Sequence, residues 1–266
     1  MQTMKIPFSK YHGAGNDFVI IDNRSNTYHL DTEHIAEICN RRVGVGADGL
    51  MLLQKSENTD FQMVYYNSDG HTAEMCGNGG RCIVAFAKKL GLIGTETTFQ
   101  ATDARHSATI TEWDGNSGIV KLAMSVSETV KTCLNGFFIN TGVPHYVEFT
   151  DGIRNFDVSG NGRKLRNHPN FAPAGTNVNF IEQISDNQIF ARTYERGVED
   201  ETLSCGTGVT ASALVWAEKN HMNSGKVDVK TLGGDFCVYF EKSANHGYGE
   251  IFLQGPVKHV FDGIWL

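Results

Sequence analysis

Short apolar runs bounded by Gly, Asn and Asp recur through the whole chain. The clearest predict strands at Phe18–Asp22, Leu50–Gln54, Phe61–Tyr66, Ala108–Glu112, Ile119–Met124, Phe137–Asn140, Val178–Ile184, Ile189–Tyr194, Phe236–Glu241 and Glu250–Gln254. They are rich in Val, Ile, Phe and Tyr, which pack well on a pleated surface. Helical spacing is rare. Thr32–Arg42 places Ile35 and Ile38 on one face behind Asp31, a good N-cap. Gly80–Leu90 and Gly208–Lys219 differ in kind, because they stay apolar nearly all round until their last turn. A helix of that type is enclosed in a core, not laid on a surface. Gly91 supplies a natural C-cap for the first of the two.

The two enclosed helices follow matching segments, Met75-Cys76-Gly77-Asn78-Gly79-Gly80 and Ser204-Cys205-Gly206-Thr207-Gly208-Val209. The likeness extends upstream. Asn67 lies nine residues before Cys76 and Arg196 nine before Cys205, each just after a strand pattern carrying tyrosine. The unit is strand, polar loop, cysteine, glycine turn, helix. Its repetition half a chain apart predicts an internal duplication: two pseudosymmetric domains with the site at their interface.

The 29 glycines against 5 prolines suit a sheet-rich fold with many tight turns. The net charge of −7 gives no basic surface for a nucleic-acid backbone. The opening MQTMKIPFSK has no apolar signal core, and no apolar run reaches the roughly 20 residues that span a bilayer. A soluble, cytoplasmic protein is expected, with neither nucleic acid nor membrane as partner. The six cysteines, Cys39, Cys76, Cys82, Cys133, Cys205 and Cys237, are scattered with no C-x-x-C pair. That argues against a disulfide framework and against a metal site. Cys39, Cys82, Cys133 and Cys237 are expected to be small buried apolar residues.

Cys76 and Cys205 carry the chemistry. A helix N-terminus offers unpaired N–H groups and partial positive charge, which favour a thiolate over its ordinary pKa of about 8.5. The same N–H groups can hold a carboxylate, and the glycines let it come close. Two such ends around one α-carbon allow one thiolate to remove a proton while the opposed thiol returns one to the other face. This inverts a stereocentre without pyridoxal phosphate. A single cysteine-glycine turn would read only as a helix start; two matching copies do not.

The ordered set Gly13-Ala14-Gly15-Asn16-Asp17-Phe18, Asn67-Ser68-Asp69-Gly70, Met75-Cys76-Gly77-Asn78-Gly79, Pro144-His145, Gly175-Thr176-Asn177-Val178-Asn179, Glu195-Arg196-Gly197 and Ser204-Cys205-Gly206-Thr207-Gly208 resembles the diaminopimelate epimerases, cofactor-independent amino-acid racemases and epimerases, nearly end to end. The cysteine motifs alone are shared with proline racemase-like enzymes. The resemblance implies an α+β fold of two domains, each a curled, mostly antiparallel sheet or barrel around a central buried helix. The expected domains are residues 1–122, joined by the C-terminal strand 255–266, and residues 123–254.

The resemblance further implies interconversion of LL- and meso-2,6-diaminopimelate on the route to lysine and peptidoglycan precursors, by a homodimer with no cofactor and no metal. Cys76 and Cys205 are then the acid/base pair. Gly77, Asn78, Gly206 and Thr207 hold the reacting carboxylate, and Asn67, Asn177 and Arg196 hold the distal end. Asn16 and Glu195 place the ammonium, and His145 with Glu195 biases the thiols. Two positions depart from familiar members: Gly49 stands where some carry glutamine, and Val143 where some carry asparagine before Pro-His.

Other signals read more plainly. Gly44-Val45-Gly46-Ala47-Asp48-Gly49 fits a dinucleotide fingerprint, but a helix precedes it and a strand follows, so a turn is expected. Alone, His145 would be a neutral core histidine, Glu195-Arg196 an exposed pair, and Glu199-Asp200-Glu201 a solvated loop face. A thiol redox protein would more commonly keep its cysteines as C-x-x-C. A proline racemase would leave Arg196 and Asn177 with nothing to bind.

Overall fold

A computed structural model describes residues 5–73, 75–126, 128–243 and 247–266; the first four residues of the opening segment lie outside it. The chain divides into two compact units, Met1–Leu122 with Gly255–Leu266, and Ala123–Gln254.

The first unit begins with β1 (Ile6–Gly13) and β2 (Asn16–Asp22), followed by α1 (Thr32–Cys39), β3 (Gly49–Gln54), β4 (Phe61–Asn67), α2 (Gly77–Lys89), β5 (Glu96–Gln100), β6 (Arg105–Trp113) and β7 (Ser117–Met124). These seven strands pair in chain order. The last strand of the chain pairs with both β7 and β1, closing an eight-stranded barrel. Helix α2 is buried from Gly77 through Ala87. The second unit holds β8 (Lys131–Cys133), β9 (Gly136–Asn140), β10 (Pro144–Phe149), α3 (Val158–Arg166), β11 (Asn177–Ser185), β12 (Gln188–Glu195), β13 (Asp200–Thr202), α4 (Gly206–Lys219), β14 (Ser224–Lys230), β15 (Asp235–Ser243) and the start of β16 (Gly247–Trp265). Its strand order is β8-β9-β10-β11-β12-β14-β15-β16, with β13 added beside β12. Helix α4 is buried from Gly206 to Ala217, apart from Thr207.

The two units share a pairing pattern, which makes them pseudosymmetric. In the first, β2∥β3 and β4∥β5 are parallel while β1–β2, β3–β4 and β5–β6 are antiparallel. In the second, β10∥β11 and β12∥β14 are parallel while β9–β10, β11–β12 and β14–β15 are antiparallel. A parallel pair needs a crossover long enough to carry a helix. The crossovers hold α1 and α2 in one unit, α3 and α4 in the other.

Several expectations need correction. Helix α1 ends at Cys39, three residues before Arg42. Asn40 turns extended there, and its Oδ1 accepts from the N–H groups of Arg42 and Val43, an alternative to the helical ladder. Gly44 then packs onto the helix end, where a Cβ would lie 2.0 Å from the Glu37 carbonyl. Asp31 caps the other end as expected, accepting from His34 N at 2.9 Å. Helices α2 and α4 begin at Gly77 and Gly206, earlier than the apolar pattern places them. Helix α3 and strands β1, β5, β8, β10, β13 and β14 lack a strong enough apolar period to be read. Cys133 is only half-buried, on the short strand β8, whereas Cys39, Cys82 and Cys237 are buried.

Candidate active site

Each helix-start cysteine is its helix's N-cap residue. Cys76 has φ −101° and ψ 127°, and Cys205 has φ −123° and ψ 114°; neither side chain caps its own helix. The backbone thus turns into the helix at the sulfur-bearing residue, leaving first-turn N–H groups directed outward.

In the first unit, Asn16, Cys76 and Asn78 form one network. Cys76 Sγ donates to Asn16 Oδ1 at 3.6 Å, and Asn78 Nδ2 donates to the same oxygen at 3.3 Å. Asn16 Nδ2 donates to Asp48 Oδ2 at 2.7 Å. Asp48 is held by Arg41, which also grips Asp17. Burial raises the Asp17 carboxyl, but Arg41 and Lys10 outweigh it and hold the group at about 2. Asn67 lies apart from this network, exposed at the end of β4 and opposite Gly49.

Beneath the network lies Arg81, wholly buried in α2. Its Nη1 donates to Gly77 O at 3.1 Å and its Nη2 to Asn78 Oδ1 at 2.7 Å. Burial lowers its pKa to about 10, so it keeps its charge at neutral pH. Sequence reading missed it; the trace it left was one charged residue inside an otherwise apolar helix pattern.

In the second unit, His145 is wholly buried, between Asn179 Nδ2 at 3.0 Å from Nδ1 and Thr207 Oγ1 at 2.9 Å from Nε2. Thr207 Oγ1 lies 3.3 Å from Cys205 Sγ. Burial first, then the charge of Arg196, lowers the His145 pKa to about 3. The imidazole is therefore neutral. Asn179 belonged to a recognised motif but carried no assigned role; it shares a face of β11 with Asn177, two residues away.

Asn177 and Arg196 meet: Arg196 N donates to Asn177 Oδ1 at 2.7 Å. Arg196 Nη1 makes long hydrogen bonds, 3.4 Å, to the carbonyls of Ala174 and Gly175. Among the described residues this guanidinium has no carboxylate partner. Glu195 ends β12 as Asn67 ends β4, so by strand ends Glu195 is the counterpart of Asn67 and Arg196 lies one residue further. Both Glu195 and Arg196 are half-buried, not an exposed pair. In the acidic run, Glu199 pairs with Arg166, and Glu201 takes a two-pronged ion pair from Arg192 at 2.6 Å. Gly44–Gly49 is a turn leading into β3, as expected.

A sequence profile described as diaminopimelate epimerase matches residues 8–124 and 137–260. The chain belongs to the diaminopimelate epimerase family. The diaminopimelate epimerase of Flavobacterium psychrophilum is 50% identical over 254 residues, covering 95% of this chain and 97% of that protein. That of Chlorobaculum tepidum is 40% identical over 258 residues, covering 94% and 98%. Among solved structures, a Bacillus anthracis phenazine biosynthesis protein of the PhzF family superposes with TM-score 0.77 at 16% identity, covering 99% of this chain and 100% of that one. A hydroxyproline epimerase from Agrobacterium vitis superposes with TM-score 0.69 at 15% identity, covering 99% and 93%. At such identities the likeness is one of fold. As a family member the chain is an isomerase of the epimerase type acting on a small molecule. No helix among the described residues is long and apolar enough to cross a membrane.

Proposed function

We propose that this epimerase interconverts LL- and meso-2,6-diaminopimelate by two-thiol proton transfer, supplying lysine and peptidoglycan precursor synthesis. One cysteine of the Cys76/Cys205 pair, as thiolate, takes the α-proton. The other, as thiol, gives its proton to the opposite face of the carbanion. The substrate leaves inverted, and the two sulfurs have exchanged protonation states. No electrons are transferred and no group leaves, so the reaction balances without a cofactor.

The observation that carries the reading is the placement of both cysteines as N-caps of the two enclosed helices. The α-proton is weakly acidic, and charge builds on the neighbouring carboxylate as it departs. N–H groups at Gly77, Asn78, Gly206 and Thr207, fixed before the substrate arrives, stabilise that charge without reorganising. Removing one such donor typically costs about 10²–10³ in rate. Asn67, Asn177 and Arg196 take the distal amino-acid end. The guanidinium of Arg196, which has no carboxylate partner among the described residues, suits a carboxylate, which it can grip with two parallel hydrogen bonds. Asn16 and Glu195 place the ammonium, and His145 and Glu195 tune the thiols. The reading includes domain closure over the substrate and a cytoplasmic homodimer.

The test is epimerisation of LL-diaminopimelate in deuterated buffer, beside L-proline and trans-4-hydroxy-L-proline. Inversion with solvent deuterium entering the α-carbon of diaminopimelate alone is expected. Turnover confined to either ring substrate, or inversion without deuterium uptake, overturns the reading.

A further inference from the structure

Before substrate binds, both sulfurs feel the field of a helix N-terminus, so that field does not distinguish them. The hydrogen-bonding neighbours Asn16 and Thr207 do. We propose that the resting enzyme is asymmetric, with Cys205 held as the thiolate and Cys76 as the thiol. The positioning residues that set this are Thr207 and Asn179 in one unit and Asn16 in the other. The proposal rests on the two-thiol reading above.

In the second unit, donors and acceptors are fixed by elimination as far as the Thr207 oxygen. The Tyr146 carbonyl can only accept, so the Asn179 group 3.1 Å from it is the NH₂. The Thr193 hydroxyl donates to the other end of the amide, Oδ1, at 2.9 Å. The same NH₂ faces His145 Nδ1, which therefore accepts. A neutral imidazole whose Nδ1 accepts carries its proton on Nε2, and Nε2 donates to Thr207 Oγ1. With His145 Nε2 donating to its oxygen, the Thr207 hydroxyl has its one proton to offer to Cys205 Sγ at 3.3 Å, and this is the donor direction the proposal takes. A donor aimed at sulfur favours the anion. The Asn179 amide cannot swing away, since it is wholly buried and a Cβ on Gly208 would lie 2.5 Å from its Oδ1.

The first unit is wired the other way. The Asp48 carboxylate only accepts, so the NH₂ of Asn16 faces it. The Arg81 guanidinium only donates, so Oδ1 of Asn78 faces it and its NH₂ points to Asn16 Oδ1. That oxygen lies 3.6 Å from Cys76 Sγ and accepts its S–H. A carbonyl oxygen facing sulfur favours the protonated form.

Charged groups surround both networks. Arg81 and, through Asn16, the cluster of Asp48, Asp17, Arg41 and Lys10 lie on the Cys76 side. Arg196, with Glu195 beside it in sequence, lies on the Cys205 side. The charge of Arg81 pulls Cys76 toward thiolate against the Asn16 contact, so both sulfurs must be read.

The experiment is an ultraviolet thiolate titration of substrate-free protein, with Cys76→Ser and Cys205→Ser variants supplying each sulfur's midpoint by difference. Cys205 is expected to titrate about one pH unit or more below Cys76, the shift one charge-assisted hydrogen bond supports. Thr207→Val should raise the Cys205 midpoint by about one unit and leave Cys76 in place, while Thr207→Ser keeps it low. A Cys76 midpoint at or below that of Cys205 overturns the proposal, as does a Cys205 midpoint unmoved in Thr207→Val. If Thr207→Val does not fold, the order of midpoints in the native protein still decides. Failure of the two-thiol reading is distinguishable, because it appears as epimerisation surviving in a cysteine variant, not in the titration.

Discussion

His145 Nε2 lies 2.9 Å from Thr207 Oγ1, and the imidazole between Thr207 and Asn179 is wholly shielded from solvent. That places a neutral histidine one hydroxyl away from the Cys205 sulfur. A histidine there relays hydrogen-bond polarity without carrying charge.

Acid stability follows from this burial. The folded pKa of about 3 lies below the unfolded value of 6.5, so the unfolded chain binds more protons between those limits. The stability this provides is fully present above about pH 6.5 and is lost as pH falls toward 3. Asp17 contributes little between pH 7 and 5, since its carboxyl, at about 2 when folded and 3.8 ordinarily, stays ionised in both states. Urea unfolding at pH 7 and pH 5 should therefore show a larger loss in the native protein than in His145→Gln. Equal losses would remove His145 as the source.

Cys76→Ser and Cys205→Ser should each lower epimerisation by several orders of magnitude, with near-ultraviolet circular dichroism unchanged. A serine hydroxyl is too weak an acid to serve as either proton carrier. Substantial turnover in either variant contradicts the two-thiol assignment.

Arg196→Ala should raise KM and cut turnover for diaminopimelate, by about 10²-fold in kcat/KM if a bidentate carboxylate contact is lost. Unchanged kcat/KM would mean that the distal carboxylate binds elsewhere.

Leu214→Ala in α4 should destabilise the protein by about 2–5 kcal/mol, because the wholly buried side chain leaves a cavity inside the enclosed helix. A loss below about 1 kcal/mol in denaturant unfolding would show that the site collapses around the gap.

Gly49 has no space for a side chain. A Cβ would lie 2.5 Å from the Tyr66 carbonyl and 2.6 Å from the Tyr65 ring, which also packs edge-on against Phe18. Gly49→Ala should cost about 1–3 kcal/mol by overpacking. Thermal unfolding at native Tm would show that the Tyr65 ring yields.

The strong periods were legible because they report burial directly. Val209, Ala211, Leu214 and Val215 could only belong to an enclosed helix, and α4 is one. The duplication was legible because a cysteine, a glycine turn and an apolar helix recur together. Helix α3 was not, since Val158-Ser-Gly-Asn-Gly-Arg-Lys-Leu-Arg offers two glycines and little apolar face; it forms where Asp157 caps it and where its apolar residues pack on β11 and β12. Strand β14 is similar, with only Val227 and Val229 buried.

Residue order alone settled the repeated architecture and the positions of Cys76 and Cys205 at helix starts, because backbone caps and apolar periods are local properties. It did not settle what each sulfur touches. Asp48, Asn179 and Thr193 come from other elements of the fold, and whether an amide presents its oxygen or its nitrogen depends on partners that only folding brings within hydrogen-bond reach.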